Sequence, residues 1–319
     1  MVQTMQAPSP TQTQEKQHPQ WAFFQGEFVP IADAKISIMT QVINYGIGAF
    51  GGIRAYWNAE KQQLYVFRIA DHVRRFLNSG KLLCATLPYT ADDLRHSIIE
   101  LLRREGYRED AYVRPLLYNA TEDITPRLYD VKFDFACFTK ALGNYIELQV
   151  RACTSSWRRL DDNIIPSRGK ITGGYVNSAL AKSEAHWNGY DEAIVLNHDG
   201  HVAEGSAMNL FIVRHGKLIT PPVCDNVLEG ITRGTVLQLA SELGIEALER
   251  PIDRTELYIA EEVLFCGTGA QVAAVIEIDH RKVGEGRLGS VGKKLQDAYF
   301  AVVRGKDAHH ADWLTPVYV

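Results

Sequence analysis

Lys170 lies in Ile165-Pro-Ser-Arg-Gly-Lys-Ile-Thr-Gly-Gly-Tyr175, with one glycine before it, two after it and a tyrosine closing the segment. Small neighbours let the backbone approach a bulky planar group closely. An amine desolvated there becomes a Schiff-base nucleophile or a proton carrier. A solvated lysine in a Gly-rich loop is the plain alternative, so other residues must decide. Three further stretches suit an anion. Glu229-Gly-Ile-Thr-Arg233 places a glycine and free amides at a helix start, where the dipole favours negative charge. Phe265-Cys-Gly-Thr-Gly-Ala270 reads as a tight turn with a hydroxyl and open amides. Arg68 ends a strand-like run and offers fixed positive charge. A reactive amine beside places for a phosphate points to a phosphorylated aldehyde, pyridoxal 5′-phosphate. Its pyridine nitrogen stays protonated only beside a carboxylate. Glu204, before a glycine in an otherwise apolar strand, is the candidate, with a solvent-facing strand glutamate as its alternative.

These residues need elements to hold them. Ala22-Phe-Phe-Gln-Gly-Glu-Phe-Val reads as a hairpin around Gly26, and Leu64 to Arg68 as a short strand. Asp71 is placed to cap a helix carrying Val73, Phe76 and Leu77. A second helix over 91–105 has Leu94, Ile98, Leu101 and Leu102 as its apolar stripe. Strands resume at Ala111 and Phe133. The less periodic segment 139–149 is the linker candidate, between units over 21–138 and 150–319. The second unit holds a helix over 176–187 and a hairpin from Glu192–Leu196 to His201–Val213, turned at Asp199-Gly200. Further helices are expected over 232–243, capped by Thr232 and ended by Gly244, and over 290–303. Gly46-Ile-Gly-Ala-Phe-Gly51 matches a dinucleotide fingerprint formally. The fingerprint needs glycines that open a helix, and Gly52-Ile-Arg-Ala-Tyr-Trp is β-like. Strands and helices alternate without the regular beat of a doubly wound sheet, so the expected fold class is α+β.

The chain has 319 residues, 46% hydrophobic, enough for two cores, and a net charge of -4 argues against a nucleic-acid partner. Five cysteines without CxxC spacing indicate neither a disulfide framework nor a metal site. Residues 1–20, rich in Gln, Thr and Pro, read as a disordered tail. No apolar run reaches membrane-spanning length, and a cytoplasmic setting is expected.

Taken together, the ordered segments Tyr45-Gly, Phe50-x-Gly-Ile-Arg54, Val66-Phe-Arg68, Ala111-Tyr-x-Arg-Pro, Ser155-Ser-Trp-x-Arg, Lys170-x-x-Gly-x-Tyr175, Glu204-Gly-Ser, Gly230-Ile-Thr-Arg and Gly267-Thr make the chain resemble the class IV aminotransferases. Within these fold-type-IV pyridoxal-phosphate enzymes it is most similar to the branched-chain amino acid aminotransferases, from Trp21 to about Trp313. The resemblance implies a smaller N-terminal α/β domain, an interdomain loop and a larger cofactor-binding domain. It implies a Schiff base at Lys170, phosphate contacts from Arg68, Ile231, Thr232 and Thr268, Tyr175 on the phenolic oxygen and Glu204 on the ring nitrogen. Tyr112, with the amides of Gly269 and Ala270, is implied for the substrate α-carboxylate. Tyr45, Phe50 and Arg114 are implied for the side-chain pocket, Arg54 is counted with them as substrate-binding, and Arg114 is implied for a distal carboxylate. The reaction implied is ping-pong transamination between leucine, isoleucine or valine and 2-oxoglutarate, by a homodimer or higher homo-oligomer.

Two segments depart from the family pattern. Phe50-Gly-Gly-Ile-Arg54 lacks the usual acid at position 51, which is expected to free Arg54 from a partner and loosen the pocket rim. Thr139-Lys-Ala-Leu-Gly-Asn-Tyr145 replaces the usual interdomain Pro-x-Gly-Ala-Tyr, with Tyr145 as its only substitute. A D-amino-acid or (R)-amine transaminase, or an aminodeoxychorismate lyase, is the alternative on the same cofactor frame. Added (R)-amine tolerance in a branched-chain enzyme is another, and a non-catalytic vitamer-binding protein is the alternative of a different class.

Overall fold

The alternation in Trp21-Ala-Phe-Phe and Glu27-Phe-Val-Pro closes as a hairpin in the computed structural model, which describes residues 18–144 and 146–318. Most of the expected tail, and Tyr145, lie outside the described residues. β1 (Trp21–Phe24) and β2 (Glu27–Pro30) turn at Gln25 and Gly26, with φ of 52° and 90°, a pair of left-handed residues that matches strand twist. A short helix α1 (Gln41–Tyr45) precedes β3 (Gly48–Phe50), β4 (Ile53–Asn58) and β5 (Gln63–Phe67). The glycines around 46–51 therefore lead into a strand, not a dinucleotide-binding helix. α2 (Ile69–Leu82) and α3 (Ala91–Glu105) follow, then β6 (Ala111–Asn119) and β7 (Phe133–Ala141). All pairings in this sheet are antiparallel. Ile69, Val73 and Phe76 of α2, with Leu94, Ile98, Leu101 and Leu102 of α3, pack with the sheet's Leu64, Val66, Val113 and Phe135 in one core.

The second sheet is mixed. It contains β8 (Gln149–Arg158), β9 (Glu192–Leu196), β10 (Val202–Gly205), β11 (Asn209–Arg214), β12 (Lys217–Thr220), β13 (Ala247–Glu249), β14 (Glu262–Gly267), β15 (Gln271–Ile278) and β16 (Arg281–Lys282). β8 runs parallel to both β9 and β15, and β12 is parallel to β13. α4 (Tyr175–Trp187) lays Ala181 and Ala185 on Cys153, Ala193 and Val195. α5 (Ile231–Glu242) and α6 (Ser290–Val303) bury Val236, Leu239, Leu295 and Tyr299 against Phe211, Val213 and Leu264. β17 (Leu314–Pro316) then returns to the first sheet beside β5, so the segment expected to end the large unit completes the small one.

Several local expectations are corrected. Asp71 does not cap α2: the helix starts at Ile69, its N-cap is Arg68 in the left-handed region, and Asp71 sits in the first turn. α5 starts one residue early, with Gly230 as N-cap in place of Thr232. The strand expected over 201–213 breaks after Gly205, whose N–H donates to the Met208 carbonyl at 2.7 Å and turns the chain.

Arg54 of β4 is 1% exposed and links the two halves. Its Nη2 donates to the carbonyls of Leu142 (2.6 Å) and Gly143, and its Nη1 to that of Gly269 at 3.5 Å. A glycine at 51 does not leave Arg54 free: these carbonyls hold its guanidinium, and the Asp110 carboxylate lies 4.0 Å from Nη2. Removing the guanidinium takes the shared donor away from these part-buried acceptors and leaves a cavity in its place. Arg54→Ala is therefore expected to destabilise the protein by about 2–3 kcal/mol. Denaturant unfolding followed by circular dichroism would refute this by giving an unchanged midpoint.

Candidate active site

Lys170 is held through its backbone before its side chain does anything. The segment after β8 lies along β3: Phe50 N–H donates to the Lys170 carbonyl (3.0 Å), Thr172 N–H to that of Gly48 (2.9 Å) and Gly173 N–H to that of Gly46 (3.1 Å). Ile171 bridges Ala49. This close pairing explains the glycines. A Cβ on Gly46 would stand 2.8 Å from the Gly173 Cα, closer than real contacts allow. From the other side, the Lys170 N–H donates to Ser79 Oγ of α2 at 3.1 Å. Gly46 and Gly173 thus serve backbone-to-backbone packing between this loop and the turn before β3.

So anchored, Lys170 projects into a cavity of about 380 Å³ lined also by Phe50, Gly52, Tyr112, Tyr175, Glu204 and Thr232. Its Nζ donates to the Tyr175 phenol oxygen at 2.5 Å and stands 5.2 Å from the Phe50 ring centroid. Loss of bulk water lowers the Lys170 pKa to about 7, with the Arg75 cation adding to the shift and the Glu204 carboxylate opposing it. Burial raises the Tyr175 phenol, and Glu204 raises it further. The Glu204 carboxyl, 4% exposed on β10, is raised by burial and lowered by Arg159. Three donors favour its ionised form: Arg159 Nε (2.9 Å), Asn209 Nδ2 (3.1 Å) and the Leu228 N–H (3.1 Å). It is therefore no solvent-facing strand glutamate.

Across the cavity, α5 opens with no side-chain cap, so its first amides, at Ile231 and Thr232, lack side-chain partners. Thr268, in the turn between β14 and β15, lines the same end. The cation there is Arg75, which lines the cavity and donates through Nη1 to the Glu229 carbonyl at 3.2 Å. Arg68, the expected cation, is placed elsewhere. Its guanidinium is engaged by Asp71 (2.6 Å) and Thr235 Oγ1 (3.1 Å) and covered by the Trp313 ring at 4.8 Å. The reason is helical geometry: Arg68 precedes α2, whereas Arg75 lies one turn before Ser79, on the side that meets the Lys170 loop. A signal for Arg75 existed in the sequence. His72, Arg75 and Ser79 are polar positions at helical spacing in a stretch whose other stripe is apolar.

The remaining wall comes from paired strands. Phe50 sits edge-on to Tyr175, with centroids 4.5 Å apart. Arg114 Nη2 donates to the Tyr112 hydroxyl at 3.0 Å, and its guanidinium lies 4.7 Å from the Phe50 ring. Gly52 makes room for that hydroxyl, since a Cβ there would stand 2.1 Å from it. Gly269 lines the cavity, but Ala270 does not: it is packed into the core of the second sheet. Arg54 lies behind the wall, held by the carbonyls described above. Tyr45 ends α1 on the outer surface, 41% exposed, and donates to the Ile124 carbonyl. It is not among the residues lining this cavity. Arg159, Asn209, Phe138 and Lys140 contribute to the lining without having been expected. Arg159 was visible only as the last residue of Ser155-Ser-Trp-x-Arg, where nothing in the sequence says it meets Glu204.

Residues 48–278 match the family model described as amino-transferase class IV. A probable branched-chain-amino-acid aminotransferase of Aquifex aeolicus is 50% identical over 301 residues, which cover 93% of this chain and 97% of that protein. The crystal structure of a branched-chain aminotransferase from Thermoproteus uzoniensis with norvaline superposes with a TM-score of 0.90 at 43% identity, covering 93% of this chain and 99% of the other. That of the T.th. branched-chain amino acid aminotransferase complexed with N-(5′-phosphopyridoxyl)-L-glutamate gives 0.89 at 38%, covering 93% and 98%. With two thirds of its length inside that model and half its residues shared with a full-length relative, the chain belongs to the class IV aminotransferases, on their branched-chain amino acid side.

Proposed function

We propose that this chain transfers the amino group between leucine, isoleucine or valine and 2-oxoglutarate, in a ping-pong sequence at one site, using pyridoxal 5′-phosphate attached through Lys170. The observation that carries this reading is a desolvated lysine in hydrogen-bond contact with Tyr175, between a buried carboxylate and an uncapped helix start. When bound, the cofactor supplies an aldehyde that condenses with amines and a cationic ring that takes up electrons. The residues fit it. The open amides of Ile231 and Thr232, the Thr268 hydroxyl and Arg75 hold the phosphate. Tyr175 would meet the phenolic oxygen, and Glu204, whose ionised form Arg159 favours against burial, would face the ring nitrogen.

Lys170 is the proton carrier. With its pKa near 7 the amine is substantially neutral at physiological pH, so Nζ takes the proton from the substrate Cα and returns it on the other side of the reaction. Tyr112 and the Gly269 backbone orient the α-carboxylate. Phe50, Phe138, Leu142 and Met208 surround an aliphatic tail, whose burial stabilises the complex by about 1.5–3 kcal/mol. Arg114, at the edge of these apolar groups, receives the distal carboxylate of glutamate. The norvaline and phosphopyridoxyl-glutamate named for two similar structures support both occupants.

We infer a homodimer or a larger closed oligomer. Ile38, Met39, Ile43, Tyr45, Ile124 and Tyr129 are all exposed, and Tyr45 links α1 to the segment holding Ile124. An apolar surface of this kind suits a second copy. No helix among the described residues is long and apolar enough to cross a membrane. The five free cysteines support a reducing, cytoplasmic setting.

Three outcomes test the reading. L-leucine should bleach the absorbance of the cofactor-loaded protein and 2-oxoglutarate should restore it, with Lys170→Ala lowering the rate by about 10²–10⁴-fold while circular dichroism stays native. Failure of leucine, isoleucine and valine alike would reject the substrate assignment. Arg75→Ala should weaken cofactor affinity by about 10–100-fold, and Arg68→Ala by less than about threefold, in a fluorescence titration. The reverse order would restore Arg68 as the phosphate ligand. Because the neutral amine is the nucleophile and its pKa is depressed, labelling of Lys170 in cofactor-free protein by an amine-selective reagent should fall as pH drops through about 7 and level off above it. Peptide mass spectrometry showing labelling that still climbs from pH 8 to 10 would mean an unshifted lysine.

A further inference from the structure

The cavity carries more positive charge than a phosphate and one carboxylate require. Its lining includes Arg75, Arg114, Lys140, Arg159 and Lys170 against the single carboxylate of Glu204. Arg159 is paired with Glu204, and Lys170 is the amine assigned to the cofactor aldehyde in the reading above. Three cations remain. Arg75 stands with the uncapped start of α5, leaving Arg114 and Lys140 at the other end.

Strand register puts those two together. β6 and β7 are antiparallel with Tyr112 opposite Lys140 and Arg114 opposite Phe138. Residues directly opposite share a face, and so do residues two apart on one strand. Tyr112, Arg114, Phe138 and Lys140 therefore form one patch on the cavity wall, with the two cations on a diagonal. Diagonal neighbours of this kind lie about 7–8 Å apart at the backbone, within reach of long side chains. Like charges set this close repel unless an anion lies between them, and neither Arg114 nor Lys140 has a carboxylate partner among the described residues. Arg114 alone is a limited receptor: Nη2 is spent on Tyr112, the Phe50 and Tyr112 rings lie 4.7 and 5.2 Å from its guanidinium, and Nε is buried without a partner. Lys140 is exposed where it meets the cavity, which places it at the mouth.

We propose that Lys140 is a specificity-determining residue, which with Arg114 forms a two-cation clamp for the distal carboxylate of a dicarboxylate substrate at the cavity mouth. The proposal rests on the amino-transfer reading for the identity of that substrate. Leucine, isoleucine and valine present nothing for Lys140 to hold, so the lysine sharpens the choice between the two substrate classes. An exposed ammonium is also well hydrated when the site holds an aliphatic tail, so it costs the branched-chain occupant little.

The test separates this clamp from the reaction itself. Glutarate and 4-methylpentanoate, unreactive acids with a charged and an apolar tail, are titrated calorimetrically into the cofactor-loaded protein and its K140Q and K140R variants. K140Q should lower the ratio of glutarate to 4-methylpentanoate affinity by about three- to fivefold, K140R should keep it, and the K140Q effect should shrink as salt rises to about 1 M. An unchanged ratio in K140Q, or equal losses for both acids, overturns the clamp. Bleaching by L-leucine is recorded on the same wild-type sample. Its absence counts against the amino-transfer reading, while the affinity ratio still decides the role of Lys140.

Discussion

Everything in the cavity is positioned from the backbone of the Lys170 loop, which lies along β3 as an added stretch of strand. Side chains around a reactive amine must be fixed to a fraction of an ångström. A free loop could not do this. Here, hydrogen bonds to Gly46, Gly48 and Phe50 on one side and to Ser79 on the other set where Nζ emerges. The same pairing brings Phe50 against Tyr175 and sets both rings beside the amine. Local geometry and local dielectric thus have one origin. The strand that holds the lysine also supplies the apolar ring that dries it.

Drying the amine has consequences for its neighbours. Burial pushes the Glu204 carboxyl up as it pushes the amine down, and Arg159, Asn209 and the Leu228 amide pull Glu204 back toward its ionised form. The cationic groups are thereby divided by task. Arg159 is consumed in supporting Glu204, Arg75 joins the helix start, and Arg114 with Lys140 faces the opening. The cations stand at separate places around one cavity because each belongs to a different element or its flank: the end of β8, α2, β6 and β7.

Arg54 shows how a residue can matter to the site without touching a ligand. Its buried guanidinium fastens the segment after β7 to the turn carrying Gly269. That segment follows directly on Lys140 and includes Leu142, both of which line the cavity, so the rim and the wall are tied together through a side chain hidden behind them.

Much of this was legible in the order of residues. The hairpin at Gly26, the stripes of α2 and α3, the helix over 290–303 and the candidates Lys170, Tyr175, Glu204, Ile231, Thr232 and Thr268 follow from local periodicity, turn chemistry and resemblance, all of which are carried by residues near one another in sequence. What those signals could not specify is which of two similar side chains faces the cavity. Arg68 is the N-cap of α2 and Arg75 stands at its middle, about two turns further along, and only the docking of that helix on the Lys170 loop brings Arg75 to the cavity. Tyr45, Arg54 and Ala270 stand outside the cavity lining for the same reason: facing is decided by long-range packing. The lysine and its chemical partners were thus written into the chain itself. Which arginine near α2 lines the cavity, the support of Glu204 by Arg159 and the placing of Arg114 and Lys140 on one face were decided only when distant strands and helices met, because electrostatic partnership depends on distance in space and not on spacing along the chain.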